Sequence, residues 1–531
     1  MLTTEKGEVY MEKGKKKMGV MALILMIFTS VYGFTNMTRS FYMMGYSSIP
    51  WFILAGLLFF IPYAFIVAEF GAAFKDSEGG IYTWMAKSSG PKFAFMGTFL
   101  WYAAYVVWLV GVGSGFWIIL SHAVFGVDRL QDLNLFGLGP VKSLGILGLS
   151  MLLLLSFLST KGTDRIKKIA SIGGTAVIGL NAFLWIGSLL VLILNKGQFL
   201  EPVTVEGFFV SPNADFLGII PILSFVVNAV FSYGGLEVVG GVIDETENPE
   251  KTFPRAIMLS SVVIIIMYSV GILLFGAVTN WNFAYGANGY SDVPITLGNH
   301  AYLTMNHLGY QIGQALNLSE GISRAIGLNV ARFMGISMFF GMLGAFFTLV
   351  FSPLKQLIGG TPKELWPESW TVKKDGIYIN AVKWQTFIVC VIFGIVAFGG
   401  DDAKQFFEIM LAMSNVAMTV PNMFIAYSFI KFKENDAIAK PFSMFKSNGQ
   451  AKLAVYIVCA LVGLSNVFTI IKPAIVNGDW LTTIMSVAGP VFFAVLGNIF
   501  YSRAQGRIRT TGQGEVGEIE IETLAHDIEP K

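Results

Sequence analysis

Long apolar runs separated by short polar ones make up nearly the whole chain. Twelve runs hold about 20 residues or more that are mostly apolar, enough to cross a bilayer as helix. They cover residues 18–44, 50–72, 93–124, 141–159, 168–195, 217–243, 256–279, 329–353, 382–399, 405–431, 451–472 and 482–502. The pattern predicts an all-α polytopic membrane protein with 12 transmembrane helices. A short tail, 1–17, precedes a core over 18–502, and a second tail, 503–531, follows it. The N-terminal KGKKKMGVMALILMIF has the basic-then-apolar look of a signal peptide. No small-residue cleavage site follows, so it reads as the first retained helix.

Lysine and arginine positions orient the runs. With the N-terminus in the cytoplasm, 28 of the 36 basic residues fall on the inner side, and the long outer loop 280–328 has only Arg324. A missed or invented helix would flip every later loop and blur that contrast. The bias predicts both termini inside a cell (plasma or inner) membrane.

Two runs are interrupted. In the first, TSVYGFTNM puts Gly33 and the polar side chains Ser30, Tyr32, Thr35 and Asn36 into the membrane, with Arg39 following near the outer face. In the sixth, Phe231-Ser232-Tyr233-Gly234-Gly235 is followed by Glu237, and then by Asp244, Glu245 and Glu247 before Asn248-Pro249. Adjacent glycines weaken a helix by about 1 kcal/mol each. A broken backbone and a carboxylate persist at membrane depth only where they line protein or water. Each interruption carries a Tyr-Gly pair with a hydroxyl residue just before it, and each opens a set of five runs. That pairing predicts two inverted repeats, 18–195 and 217–431, with 451–502 as two added helices.

A break frees N–H groups at the start of one half-helix and carbonyls at the end of the other. The N–H groups and the positive helix end favour a carboxylate; the carbonyls favour an ammonium or a cation. A facing pair of breaks can therefore hold a zwitterion such as an α-amino acid. The expected substrate contacts are Ser30, Tyr32, Gly33, Phe34 and Asn36 from one break, and Phe231, Ser232, Tyr233, Gly234 and Gly235 from the other. The alternative is a kinked helix whose polar groups bond to neighbours. Glu237 reads equally as a titrating, proton-linked group and as a structural carboxylate. Asp244 and Glu245 read as a cytoplasmic helix end.

Composition narrows the class further. Of 531 residues 54% are hydrophobic and 13% are charged, against about 25% charged in soluble domains; mean hydropathy is +0.64. A net charge of +2 suggests no nucleic-acid partner. Cys390 and Cys459 lie inside apolar runs as core fillers, and the four histidines show no ligand spacing. No metal or cofactor is expected. Pro421 is expected to kink the tenth run. In the outer loop, QIGQALNLSEGISRAIG reads as an amphipathic surface helix. The last residues read as disordered, or as a plug in which His526 and the glutamates sense pH.

These motifs resemble the amino acid–polyamine–organocation (APC) superfamily of transporters. Ala68-Glu69-Phe70-Gly71 and Glu78-Gly79-Gly80-Ile81-Tyr82 match its second-helix motif. Phe231 to Glu237, Glu245-Thr246-Glu247-Asn248-Pro249 and Pro254-Arg255-Ala256 match its sixth-helix motif, and Val420-Pro421 matches its tenth helix. The glutamate/γ-aminobutyrate antiporter branch looks most similar. The resemblance implies a LeuT-like fold of five-plus-five inverted repeats with discontinuous helices 1 and 6. It makes Phe231 a gate over the substrate and Glu237 the acidic position below it. The first helix departs from the common G-S/A-G-x-F form, which leaves fewer N–H groups free.

The expected function is secondary transport of amino acids or amines by alternating access, as an antiporter or with proton coupling. Sodium symport stays an alternative; Thr348 and Ser352 in the eighth run are one turn apart rather than adjacent. A non-transporting sensor or channel on the same fold is another. No nucleophile–base pair, metal motif or nucleotide loop points to an enzyme. The expected partners are a small amino acid or amine and the lipid bilayer, with the oligomeric state left open.

Overall fold

The computed structural model describes residues 17–75, 80–160, 163–242, 246–286, 290, 293–374, 376–400 and 402–511. Among these there are helices and two isolated bridges but no strand. In order they are α1 (Val20–Val31), α2 (Phe34–Met44), α3 (Ser48–Ala55), α4 (Ile61–Ala73), α5 (Gly80–Ser89), α6 (Pro91–Phe125), α7 (Gly139–Ser159), α8 (Thr163–Leu194) and α9 (Ile219–Ser232). They continue with α10 (Pro249–Val278), α11 (Trp281–Tyr285), α12 (His300–Ala315), α13 (Glu320–Gly359), α14 (Glu368–Thr371), α15 (Ile379–Phe398), α16 (Ala403–Glu434), α17 (Asn448–Asn477) and α18 (Trp480–Thr511).

Eleven segments among the described residues are long and apolar enough to cross a membrane. The twelfth run of the sequence reading is the first one. Its break divides it into α1, of 12 residues, and α2, of 11, and neither half is a full span alone. The other half-helix, α2, runs on into a single 40-residue apolar segment, Phe34–Ala73. Several helices outrun their apolar stretch, because polar residues continue a helix once its core has cleared the hydrocarbon. The eighth span begins at Glu320 rather than near residue 329. QIGQALNLSEGISRAIG is consequently not one surface helix. Its first part ends α12 and its last part begins α13, with Asn317 at a φ of +53° in the turn between. Pro421 lies within the continuous helix α16. Of the C-terminal tail, residues 503–511 extend α18; the plug reading of 512–531 falls outside the described residues.

α10 lies against α1, α3, α4 and α8, while α13 lies against α6, α8 and α12. The end of the bundle where α4, α16 and α17 meet is fastened by a buried ion pair. Glu69 is fully buried; its Oε2 lies 3.0 Å from Lys433 Nζ, and its Oε1 accepts the N–H groups of Met444 (2.7 Å) and Phe445 (2.8 Å). Lys433 also donates to Ser443 Oγ and to the Phe445 carbonyl, both at 2.8 Å. Every partner is satisfied, which a buried pair requires if it is not to destabilise. The Ala-Glu-Phe-Gly motif is therefore a clasp on the α16–α17 connection. At the same end Met18 pairs with Thr246 in an isolated bridge, and Glu247 N–H donates to the Met18 carbonyl at 2.9 Å. The starts of α1 and α10 are thereby strapped together.

Candidate substrate site

The first break is two extended residues. Tyr32 (φ −79°, ψ 104°) ends α1 and Gly33 (φ −101°, ψ 119°) precedes α2. The second break follows Ser232, where α9 stops, and the chain resumes as a tight 3-10 helix over Leu236–Val242. Gly235 holds a φ of +102°, a conformation that L side chains rarely adopt. A Cβ there would stand 2.8 Å from the Ser30 carbonyl oxygen. The two breaks thus touch, and glycine is needed both for the turn and for the approach.

Between them stands Tyr268 of α10. Its hydroxyl accepts from the Gly33 N–H (2.8 Å) and the Asn36 amide (3.3 Å). It lies 3.1 Å from the Val31 carbonyl and 3.0 Å from the Ser232 carbonyl. A phenol has one proton, so it donates to one of these carbonyls at a time. One side chain thereby serves the freed N–H of one break and, in turn, a freed carbonyl of either.

The structure draws Gly33, Asn36, Ser232 and the ring of Tyr32 around that hydroxyl. Tyr32 stacks on Phe28 (4.6 Å between centroids) and leans on Tyr268 (4.9 Å). It does not bring the other expected residues to the same point. Tyr233 is fully buried, stacks on Phe60 at 4.6 Å and donates to the Phe52 carbonyl at 3.0 Å, so its ring props the break from behind. The hydroxyls of Ser30 and Ser232 bond back to Met26 and Asn228 in their own helices, at 2.8 and 2.7 Å. Phe34 is buried, and Phe231 is partly buried at the end of α9. Gly234 faces only the Phe231 carbonyl, which a Cβ would meet at 3.2 Å. Glu237 is 5% exposed, accepts from Trp101 Nε1 at 3.2 Å through Oε1, and leaves Oε2 without a partner. Asp244 and Glu245 lie outside the described residues.

A vestibule of about 860 Å³, open to solvent, reaches α9 at Asn228, one turn before the second break. Its walls include Tyr42, Asn228, Lys404, Glu408, Asn415 and Lys472. Lys404 pairs with Asp215 at 2.8 Å and reaches Glu408 at 4.0 Å, and Lys472 sits over the Phe216 ring at 4.0 Å. Behind the vestibule wall, Asn228 accepts from Arg39 Nη1 at 3.5 Å and donates to Ser40 Oγ at 3.3 Å. Tyr42 stacks on His300 of α12 at 5.2 Å. Burial, and then the charge of Arg39, push His300 down to about 3, so that ring is neutral at physiological pH.

Sequence reasoning missed Tyr268 and gave no site role to Asn228, Trp101 or Arg39. Tyr268 sits in IIIMYSVGILL, an otherwise apolar stretch. The available signal was that a lone phenol there requires a hydrogen-bond partner. Nothing in the stretch says which partner. Among the described residues no group of three or more His, Cys, Asp and Glu is placed to hold a metal ion.

Comparison with known proteins agrees with this architecture. The family model described as amino acid permease matches residues 18–500. The chain is 43% identical over 502 residues to the inner membrane transporter YjeM of Escherichia coli K12, covering 94% of this chain and 99% of that one. It is 24% identical over 459 residues to the aspartate/glutamate permease AcaP of Lactococcus lactis subsp. cremoris, covering 83% and 84%. It is 24% identical over 423 residues to a glutamate/γ-aminobutyrate antiporter of Lactococcus lactis subsp. lactis, covering 77% and 76%. With a family match across both broken helices and nearly every span, the chain belongs to the amino acid permease family and is a multi-pass inner membrane transporter, not an enzyme.

Proposed function

We propose that this transporter carries amino acids or related amines by alternating access, as an exchanger of glutamate/γ-aminobutyrate-like solutes or with proton coupling. The observation that carries the reading is the meeting of two broken helices at the Tyr268 hydroxyl, with a solvent-open vestibule reaching Asn228 on one of them. Freed N–H and carbonyl groups of opposite polarity lie within one hydroxyl's reach, which suits the two ends of a zwitterion. The relatives named as an aspartate/glutamate permease and as an antiporter support the solute class and the exchange mode. In this reading both termini are cytoplasmic and the vestibule faces outward. Its inner end is closed by the Glu69–Lys433 clasp and the Met18–Thr246 strap. Phe231 is the lid residue and Glu237 the proton-linked group below the site.

Counterflow in proteoliposomes tests it. Uptake of labelled amino acid should accelerate when the lumen is loaded with unlabelled amino acid, and should not require a sodium gradient. Uptake that needs sodium and ignores the internal solute would replace exchange with symport. Absence of transport for every amino acid and amine tested would remove the substrate class.

A further inference from the structure

Arg39 is the charge in the site that the chain leaves unanswered. It lies one turn along α2 from Asn36, so both side chains fall on the face turned to α9 and α10. Its Nη1 reaches Asn228 Oδ1 at the long distance of 3.5 Å, while its Nε is sealed from solvent with no hydrogen-bond partner. No carboxylate among the described residues pairs with it, whereas Lys404 of the vestibule has Asp215 and Lys433 of the clasp has Glu69. The vestibule lining holds two cations, Lys404 and Lys472, and two carboxylates, Asp215 and Glu408, while Arg39 stands behind it and reaches it through Asn228. His300, stacked on Tyr42 beside it, is neutral and offers no anion. A cation held in protein at membrane depth without a counter-charge is costly. A guanidinium also presents its donors as a planar fork that matches a carboxylate.

We infer that Arg39, steadied by Asn228, is a carboxylate-binding subsite behind the vestibule wall, and that it anchors the anionic end of the transported solute. The inference rests on the amino acid transport reading and adds to it the residue that holds the carboxylate. It also accounts for a feature of the break. The Gly33 N–H, the donor a carboxylate would otherwise take, is already engaged by Tyr268. Arg39 gives the carboxylate a strong donor that is not so engaged. A solute held there by its carboxylate would extend its ammonium toward the Val31 and Ser232 carbonyls around Tyr268.

The test uses the full-length protein in detergent and reads thermal stabilisation against glutamate, γ-aminobutyrate and glutarate. Putrescine serves as a similar-length cation lacking a carboxylate, and chloride as a simple anion. At least one carboxylate solute should stabilise the wild type. Arg39→Gln should weaken that effect about 10-fold or more, the loss expected for a charge-assisted bond. Asn228→Asp supplies an internal carboxylate to Arg39. It should melt higher than wild type without ligand and lose the response to carboxylates, which a merely misfolded variant cannot do. Stabilisation by putrescine or chloride but by no carboxylate overturns the subsite, as does an undiminished carboxylate response in both variants. Failure of amino acid uptake in proteoliposomes, with carboxylate binding intact, would overturn the transport reading alone.

Discussion

Replacing Tyr268 with phenylalanine removes one oxygen atom from the centre of the site and leaves the packing of the ring in place. In the wild type that oxygen serves the Gly33 N–H at 2.8 Å and one of the two carbonyls of Val31 and Ser232, at 3.1 and 3.0 Å. The variant leaves at least one donor and one acceptor of the main chain unserved. A buried polar group without a partner costs about 1–3 kcal/mol. The ligand-free protein should therefore lose about 2–6 kcal/mol, toward the lower end if a water molecule takes the vacated place. Differential scanning fluorimetry of the purified protein would show this as a drop of several degrees. Ligand response should move the opposite way. In the wild type an ammonium approaching the Val31 and Ser232 carbonyls competes with the phenol proton; in the variant it meets free acceptors. Recovering one net hydrogen bond, about 1 kcal/mol, would tighten binding about 5-fold. A phenylalanine variant with wild-type melting temperature and wild-type affinity would refute the assignment of Tyr268 as the group that satisfies the breaks.

The remaining tests address the break, the clasp and the acid. Gly235→Ala forces a Cβ onto a residue at a φ of +102°, 2.8 Å from the Ser30 carbonyl, and should cost about 1–3 kcal/mol and abolish uptake. Gly234→Ala, whose Cβ would meet only the Phe231 carbonyl at 3.2 Å, should keep most of its uptake; equal losses at the two positions would dismiss the geometric argument. Glu69→Ala strands Lys433 and two backbone N–H groups, and should destabilise the fold by about 3–5 kcal/mol. The double variant Glu69→Ala/Lys433→Met should melt above the single one, and an identical melting temperature would speak against the pair. Glu237→Gln keeps a carbonyl oxygen for Trp101 and removes the proton, so the pH dependence of uptake should flatten. An unchanged profile measured from pH 5 to 8 would return Glu237 to a structural role.

The two breaks were legible because helix rules are local. Tyr32-Gly33 and Tyr233-Gly234-Gly235 interrupt apolar runs with residues that give up helix readily, and both helices stop there in the structure. Which glycine matters was not legible. Gly234 and Gly235 are equivalent on paper, and only the backbone angle and the distance to Ser30 separate them. The direction of side chains was equally out of reach. Tyr233 belongs to the same break as Ser232, yet its ring turns to Phe52 and Phe60. Glu69 was recognised as part of a motif, while its partner lies 364 residues away on α16.

The sequence alone determined that this chain lies in a membrane, how nearly every span is laid out, and where two helices break. Those properties depend on burial in lipid and on φ/ψ preference, both of which act over a few neighbouring residues. Tertiary structure alone decided what the breaks enclose. Tyr268, Asn228 and Arg39 come from three separate helices, and Tyr268 stands in an unremarkable stretch of sequence. Their meeting depends on how α2, α9 and α10 pack, and on buried hydrogen-bonding groups having to find partners across that packing.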